Sequence, residues 1–185
     1  QRIRRHRSAG HAAAQLMERL VCPPRDHWAA RLEAQGFDYH TSDGVPYWSE
    51  GVCYRFTTDE IDQLEAATDE LHSMCLSMVA DTVASGDYHA FSLDADAAAL
   101  VERSWKRREP ALMGRMDLCF DGRSAPKLYE YNADTPTSLL EAAVIQWFWF
   151  KDVERNASAF SPRFPRHLDQ FNSIHDRLIE GWVAL

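Results

Sequence analysis

Alternating polar and apolar residues in the middle of the chain predict a β-hairpin over residues 113–132. We expect its first strand from Met113 to Phe120 and its second from Lys127 to Asn132, joined by a turn with the sequence DGRSAP. Successive side chains of a strand point to opposite faces. A register in which Phe120 pairs with Lys127 brings polar side chains of both strands onto one face, whereas a slip of one residue separates them.

In this register, one face of the hairpin carries a polar group of four residues: Arg115, Asp117, Glu130 and Asn132. Leu128 is expected on the same face. Asp117 then lies opposite Glu130, and opposed carboxylates destabilise a sheet unless positive charge lies between them. Carboxylate and amide oxygens are ligands of the kind that Mg²⁺ prefers, usually together with substrate phosphates. Two interpretations stay open: a magnesium site, or a solvent-facing hairpin with a surface salt bridge.

The residues that follow the hairpin have the pattern of a helix start. Asp134 and Thr135 can cap a helix, and Pro136 suits its first position. The helix is expected to run through SLLEAAVIQWFW. Its N-terminal N–H groups would lie near the proposed metal, where they could bind a phosphate or a carboxylate.

Apolar residues at helical spacing predict the remaining helices. One covers residues 25–35 and is closed by Gly36, and a long one begins after Thr57 or Thr58 and ends at Gly86. A third begins at Asp94 or Asp96 and runs through Trp105, and a last one covers DQFNSIHDRLIEGW at 169–182. Asp43-Gly44 predicts a second hairpin, and residues 156–167 read as a loop.

Several side chains outside the first hairpin have two interpretations each. The aromatic group Tyr39, His40, Tyr47 and Trp48 could line a substrate pocket, although packing is the commoner role. A basic run, Lys106, Arg107 and Arg108, could attract phosphates or simply end a helix. His72 on the long helix is interpreted as a packing residue. Asn172, Ser173 and His175 could face the site.

Composition narrows the class of protein. At 185 residues with 45% hydrophobic content, the chain can form one domain, or one domain and part of another. The formal net charge of −8 argues against general nucleic-acid binding and is compatible with a cationic substrate. No apolar run is long enough to cross a membrane. The four cysteines are scattered without a C-x-x-C pair, which favours reduced thiols in a cytoplasmic protein. Residues 1–16 are rich in arginine and lack acids, and we interpret them as an extension or artefact.

The run RMDL…KLYEYNADTPTSLLEAA, with QWFW after it, resembles the glutathionylspermidine synthase family of ATP-grasp ligases. That family includes shorter acid–amine ligases without an amidase domain. The likeness extends through CPPRDHW, GFDYHTSDGVPYWSEGVCYRFT, SWKRREPALMGR and DQFNSIHDRLIEGW, and so covers nearly all of residues 17–185.

The resemblance implies an α+β, ATP-grasp-like fold with a mixed or antiparallel sheet flanked by helices. It implies that Arg115 is the catalytic residue that contacts substrate phosphates. Asp117, Glu130 and Asn132 would hold the Mg²⁺ ions that bridge the phosphates of ATP. The implied substrates are a glutathione-like acid and a polyamine-like amine, joined through an acyl phosphate.

The family's nucleotide-binding lysines, glycine-rich loop and adenine pocket would lie beyond Leu185. We therefore expect an incomplete fold that is the metal-binding half of a ligase. On this reading it is inactive by itself, and the C-terminal half of the ligase is its partner. Two alternatives are a non-catalytic interaction module that keeps the fold, and a Mg²⁺ phosphohydrolase that releases phosphate from ATP without acid or amine.

Overall fold

The computed structural model describes residues 17–133, 136–156 and 168–185. The predicted extension at 1–16, the predicted helix cap at Asp134 and Thr135, and all but the first residue of the loop predicted at 156–167 lie outside the described residues. The elements follow in this order: β1 (Glu18–Val21), α1 (Trp28–Glu33), β2 (Thr41–Ser42), β3 (Val45–Pro46), β4 (Val52–Arg55), α2 (Thr58–Ser85), a 3₁₀ turn (His89–Phe91), α3 (Ala95–Arg107), β5 (Arg115–Cys119), β6 (Lys127–Asn132), a π-helical turn (Glu141–Ile145), α4 (Gln146–Arg155) and α5 (Ile174–Ala184).

The strands form three small antiparallel sheets of two strands each, β1 with β4, β2 with β3, and β5 with β6. Helices and antiparallel strands together confirm the α+β class. In the part of the chain that the structure describes, no parallel pair makes a mixed sheet. The hairpin predicted at Asp43-Gly44 is confirmed, since both residues have the positive φ (50° and 79°) of a tight hairpin turn.

Helix α2 begins and ends where the sequence predicts. Thr57 and Glu60 form a capping box, in which each side chain accepts the other residue's backbone N–H. Gly86 ends the helix in the left-handed conformation, with φ 72°. Asp94 caps α3 by accepting the backbone N–H of Ala97.

The last helix is shorter than predicted. Helix α5 begins at Ile174, so residues 169–173 are not helical. The side chain of Asn172 explains this start. Its amide oxygen accepts the backbone N–H of Ile174, and its amide nitrogen donates to the π-helical turn.

Two buried clusters form the core; α4 contributes to the first and the π turn to the second. Leu20 and Cys22 pack with Val153, and Leu32 and Phe37 pack with Ile145. Each fully buried aliphatic or aromatic side chain contributes about 1.5–3 kcal/mol relative to exposure.

A buried ion-pair network links the β1–α1 connection to α4. Arg25 Nε donates to Glu50 Oε1 at 2.6 Å and its Nη1 donates to Asp152 Oδ2 at 2.9 Å. Arg25 and Glu50 are each less than a tenth exposed. Because an unpaired buried charge is costly, this network fixes how the two segments meet. No helix among the described residues is long and apolar enough to span a bilayer.

Candidate functional site

The β5–β6 hairpin has the predicted register at its open end. Arg115 pairs with Asn132, and Asp117 pairs with Glu130. The two carboxylates therefore occupy directly opposed positions, where like charges destabilise a sheet. The structure thus brings together the four residues that the sequence singles out.

The register near the turn differs from the prediction. Leu118 pairs with Leu128 and Cys119 pairs with Lys127, because Tyr129 forms a β-bulge. The predicted pairing of Phe120 with Lys127 is wrong, and β5 ends at Cys119.

The bulge also corrects the faces of the second strand. Leu128 lies opposite Leu118 and so does not share the face of Glu130. The turn provides the physical reason. Asp121 accepts the backbone N–H groups of Arg123 and Ser124 at 2.9 and 2.7 Å, which closes the turn before Phe120 can pair.

Each carboxylate of the hairpin has a different partner. Arg115 Nε donates to Asp117 Oδ1 at 3.0 Å, and Asn132 Nδ2 donates to Glu130 Oε1 at 2.9 Å. The Arg115 and Asp117 side chains are 34% and 45% exposed, so their ion pair is worth less than about 1 kcal/mol. Of the two carboxylates, Asp117 has a cation within ion-pair distance, whereas Glu130 has none among the described residues and relies on a neutral amide.

Arg115 also fixes the segment that leads into the next helix. Its Nη1 donates to the carbonyl oxygen of Thr137 at 3.1 Å and to Thr137 Oγ1 at 2.9 Å. Ser138 then adopts a positive φ of 68°. Helical structure begins at Leu139, so the prediction of Pro136 as the first helical residue is wrong. The reason is that Arg115 binds Thr137 in a non-helical segment, and the positive φ of Ser138 interrupts the chain before the helix can begin.

Near its start the helix contains the π-helical turn, which leaves carbonyl groups for other donors. Asn172 Nδ2 donates to the carbonyl oxygens of Ala142 and Ala143, at 2.9 and 3.3 Å. Glu141 in this turn is buried and accepts the hydroxyl of Tyr47 at 2.9 Å. π-helical turns occur frequently at functional sites.

Sequence reasoning did not identify Glu141. The available signal was a single carboxylate inside the apolar run SLLEAAVI. Partial burial, and after it the neighbouring Glu141 carboxylate, raises the pKa of Tyr39. Tyr39, Tyr47 and Trp48 surround the buried ring of Phe37, with ring centroids 4.4 to 6.2 Å away. This arrangement supports the packing interpretation of the aromatic group.

Two other features do not involve the four hairpin residues. Lys106 pairs with Glu102 and Arg107 with Glu109, as expected at an exposed helix end. A groove of about 700 Å³ runs along α2, where Met74, Met78 and Phe91 contribute to its lining. The groove includes none of the four hairpin residues, so we do not assign it to the same site.

The donor set of the hairpin fits Mg²⁺ that also carries phosphate. No group of three or more His, Cys, Asp or Glu side chains suited to a metal occurs among the described residues. The hairpin instead offers two opposed carboxylates and one amide. Mg²⁺ usually takes one or two protein carboxylates and completes its shell with water and substrate phosphates. The residues therefore fit a metal–phosphate site and do not form an all-protein cage.

Comparisons with known proteins give the family. The model of the glutathionylspermidine synthase preATP-grasp family matches residues 19–185. A Haemophilus influenzae protein whose name describes it as an acid–amine ligase is 47% identical over 166 residues, covering 88% of this chain. The bifunctional glutathionylspermidine synthetase/amidases of Escherichia coli and Shigella flexneri are 35% identical over 98 residues, or 52% of this chain. The aligned parts make up 40% of the first relative and 16% of the other two.

Proposed function

The chain belongs to the glutathionylspermidine synthase preATP-grasp family, and on that premise we propose that it serves an ATP- and Mg²⁺-dependent ligase. The ligase joins a carboxylic acid to an amine. This chain supplies the phosphate- and metal-binding part, and the remaining part corresponds to what the longer relatives carry beyond the aligned region. The observation that carries the proposal is the opposition of Asp117 and Glu130 beside Arg115.

Each hairpin residue has a proposed role. Arg115 binds a phosphate oxygen of ATP or of the acyl phosphate, and its contact with Thr137 holds the guanidinium at the entrance to the helix. Asp117, Glu130 and Asn132 hold Mg²⁺ through oxygen atoms. When bound, Mg²⁺ neutralises charge on the transferred phosphoryl group.

The proposed chemistry requires no protein nucleophile. The substrate carboxylate attacks the terminal phosphorus of ATP, which releases ADP and forms an acyl phosphate. The amine then attacks the acyl carbon, phosphate leaves, and the amine loses a proton. Such a reaction depends on positioning and on charge neutralisation, which Arg115 and the opposed carboxylates can provide. A glutathione-like acid and a polyamine-like amine are the proposed substrates.

Calorimetric titration of the 185-residue chain with ATP, with and without Mg²⁺, tests the site. We expect ATP binding that requires Mg²⁺. Asp117→Ala and Glu130→Ala should each abolish this binding. Glu65→Ala, an exposed carboxylate on α2, is the matched control and should bind as the wild type does. Binding that survives both hairpin substitutions would contradict the metal role.

The ligase reaction is tested by ADP release from ATP with a panel of acids and amines, using the longest form of the protein in which this stretch occurs. Release should require both an acid and an amine. Release of phosphate without either would favour the phosphohydrolase, and no release at all would defeat the ligase proposal.

A second candidate is an interaction module that keeps the fold without the chemistry. The exposure of the hairpin face favours it, since Arg115 and Asp117 are about a third and just under half exposed. Such a module need bind neither Mg²⁺ nor Mg-ATP. Titration of the longest form of the protein with Mg-ATP therefore separates the two functions.

A further inference from the structure

Tyr131 lies between the two proposed ligands of β6 but faces the other side of the hairpin. Glu130 and Asn132 flank it in sequence, and alternate residues of a strand point to opposite faces. The ring of Tyr131 therefore fixes the strand from the side away from the metal site. Any rotation or slip of Tyr131 moves both neighbours with it.

The Tyr131 ring packs directly against the backbone at Gly114, the residue just before β5. A Cβ added at Gly114 would lie 2.5 Å from Tyr131 Cε2 and 2.8 Å from its hydroxyl oxygen. Gly114 immediately precedes Arg115, so the ring crosses the hairpin diagonally and touches the chain at the start of the other functional strand. An aromatic ring over a cross-strand glycine is a known device for fixing strand register.

Helix α2 holds the far end of the Tyr131 ring. Tyr131 Oη and His72 Nδ1 are hydrogen-bonded at 2.9 Å, and the two rings meet edge to face at 5.9 Å. Burial, and after it the nearby Cys75, raises the pKa of Tyr131. His72 is exposed and lies outside both buried clusters, so its ring packs on Tyr131 and not in the core.

The same helix supports the hairpin at a second point. A Cβ at Gly122 in the β5–β6 turn would lie 2.6 Å from Glu60 Oε1. Glu60 is itself fixed by the capping box with Thr57. Glu60 and His72 are twelve residues apart on α2, or about 18 Å along a helix that rises 1.5 Å per residue. Helix α2 thus contacts the hairpin at its turn and at its ligand strand.

We propose that His72 is a positioning residue for the metal site: through Tyr131 it holds Glu130 and Asn132 in place opposite β5. The inference rests on the proposed metal-binding function and adds a residue that acts from outside the site. His72 touches neither the metal nor the substrate. Loss of His72 should therefore lower the affinity of the site for the metal, and not only the stability of the fold.

Mn²⁺ binding, followed by electron paramagnetic resonance in the presence of ATP, tests the inference on the 185-residue chain. We expect His72→Ala and Tyr131→Phe to weaken Mn²⁺ binding about three- to tenfold, the loss that one hydrogen bond accounts for. His72→Gln keeps an acceptor for the phenol and should stay within about twofold of the wild type. His89→Ala, an exposed histidine on the 3₁₀ turn, is the matched control.

The outcomes separate this inference from the proposed function. Asp117→Ala tests the metal site itself and should abolish binding. Unchanged Mn²⁺ affinity in His72→Ala and Tyr131→Phe, with binding lost in Asp117→Ala, would overturn the positioning role and leave the metal site standing. If the wild type binds no Mn²⁺, both fall. A lower melting temperature with unchanged affinity would mark His72 as merely structural and would also overturn the inference.

Discussion

Gly114→Ala tests the contact between Tyr131 and the hairpin most directly. The added methyl group would lie 2.5 Å from Tyr131 Cε2 and 2.8 Å from its hydroxyl oxygen, closer than real Cβ atoms come to their neighbours. Gly114 does not have a positive φ, so its backbone accepts alanine. Any loss of stability is therefore steric. Either the strand or the ring must move, and a moving ring loses its hydrogen bond to His72.

The magnitude follows from three terms. Overpacking costs about 1–3 kcal/mol, and loss of the Tyr131–His72 hydrogen bond adds about 1 kcal/mol. Replacing glycine restricts the unfolded chain and returns about 0.4–1 kcal/mol. We expect a net destabilisation of about 2 kcal/mol. For a chain of this size that corresponds to a fall in melting temperature of about 4–8 °C.

Urea and thermal unfolding followed by circular dichroism measure this loss. Gly51→Ala is the matched control, because its Cβ would meet the carbonyl oxygen of Cys22 at an ordinary 3.6 Å. A double-mutant cycle with Tyr131→Ala isolates the clash, since alanine at 114 should cost nothing once the ring is gone. An equal loss in both backgrounds, or a loss no larger than that of Gly51→Ala, would refute the reasoning.

Two further predictions concern buried carboxylates and their partners. Arg25→Ala leaves a buried carboxylate without its cation and should lower the free energy of unfolding by about 3–5 kcal/mol. The matched Arg31→Ala, at a half-exposed cation, should cost less than about 1 kcal/mol, and equal losses in urea titrations would contradict this difference. Burial raises the pKa of Glu60, but hydrogen bonds from Thr57 and Met17 outweigh that effect and leave the pKa lowered. The stability advantage of the wild type over Glu60→Gln should be complete above the pKa of Glu60 in the unfolded chain and should disappear as the pH falls through its lower pKa in the folded protein. The melting temperatures of the two proteins, measured from about pH 6 to about pH 3, should therefore converge. A constant difference across this range would contradict the prediction.

At the open end of the hairpin the predicted pairs agree with the structure, Asp117 opposite Glu130 and Arg115 opposite Asn132. They agree although the predicted turn pair is wrong, because the extra residue of the bulge restores the register that the earlier turn would have shifted. The β-bulge at Tyr129 could not be read in the same way. Alternation does not distinguish a regular turn from one that Asp121 closes by accepting two backbone N–H groups.

Features that depend on contacts between residues far apart in the sequence could not be predicted from local patterns. The helix does not start at Pro136 as predicted, because Arg115 binds the carbonyl oxygen of Thr137. The two residues are 22 positions apart in the sequence. The π-helical turn depends on Asn172, 30 residues away from Ala142. Helix propensity and capping rules consider neighbouring residues only, so neither contact leaves a sequence signal of its own.

The positions of the contacts that hold the hairpin explain how the fold tolerates its opposed carboxylates. Arg115 neutralises Asp117 from within the same strand, whereas Glu130 is left with an amide partner. The stabilising contacts lie on the other side or at the ends: the Tyr131 ring on Gly114, its hydroxyl on His72, and Glu60 beneath the turn. Because these contacts use none of the oxygen atoms that a cation would need, the hairpin can stay in register while one carboxylate remains uncompensated. A substrate phosphate with its Mg²⁺ ion would supply the missing charges: the cation would balance Glu130, and the phosphate would pair with Arg115.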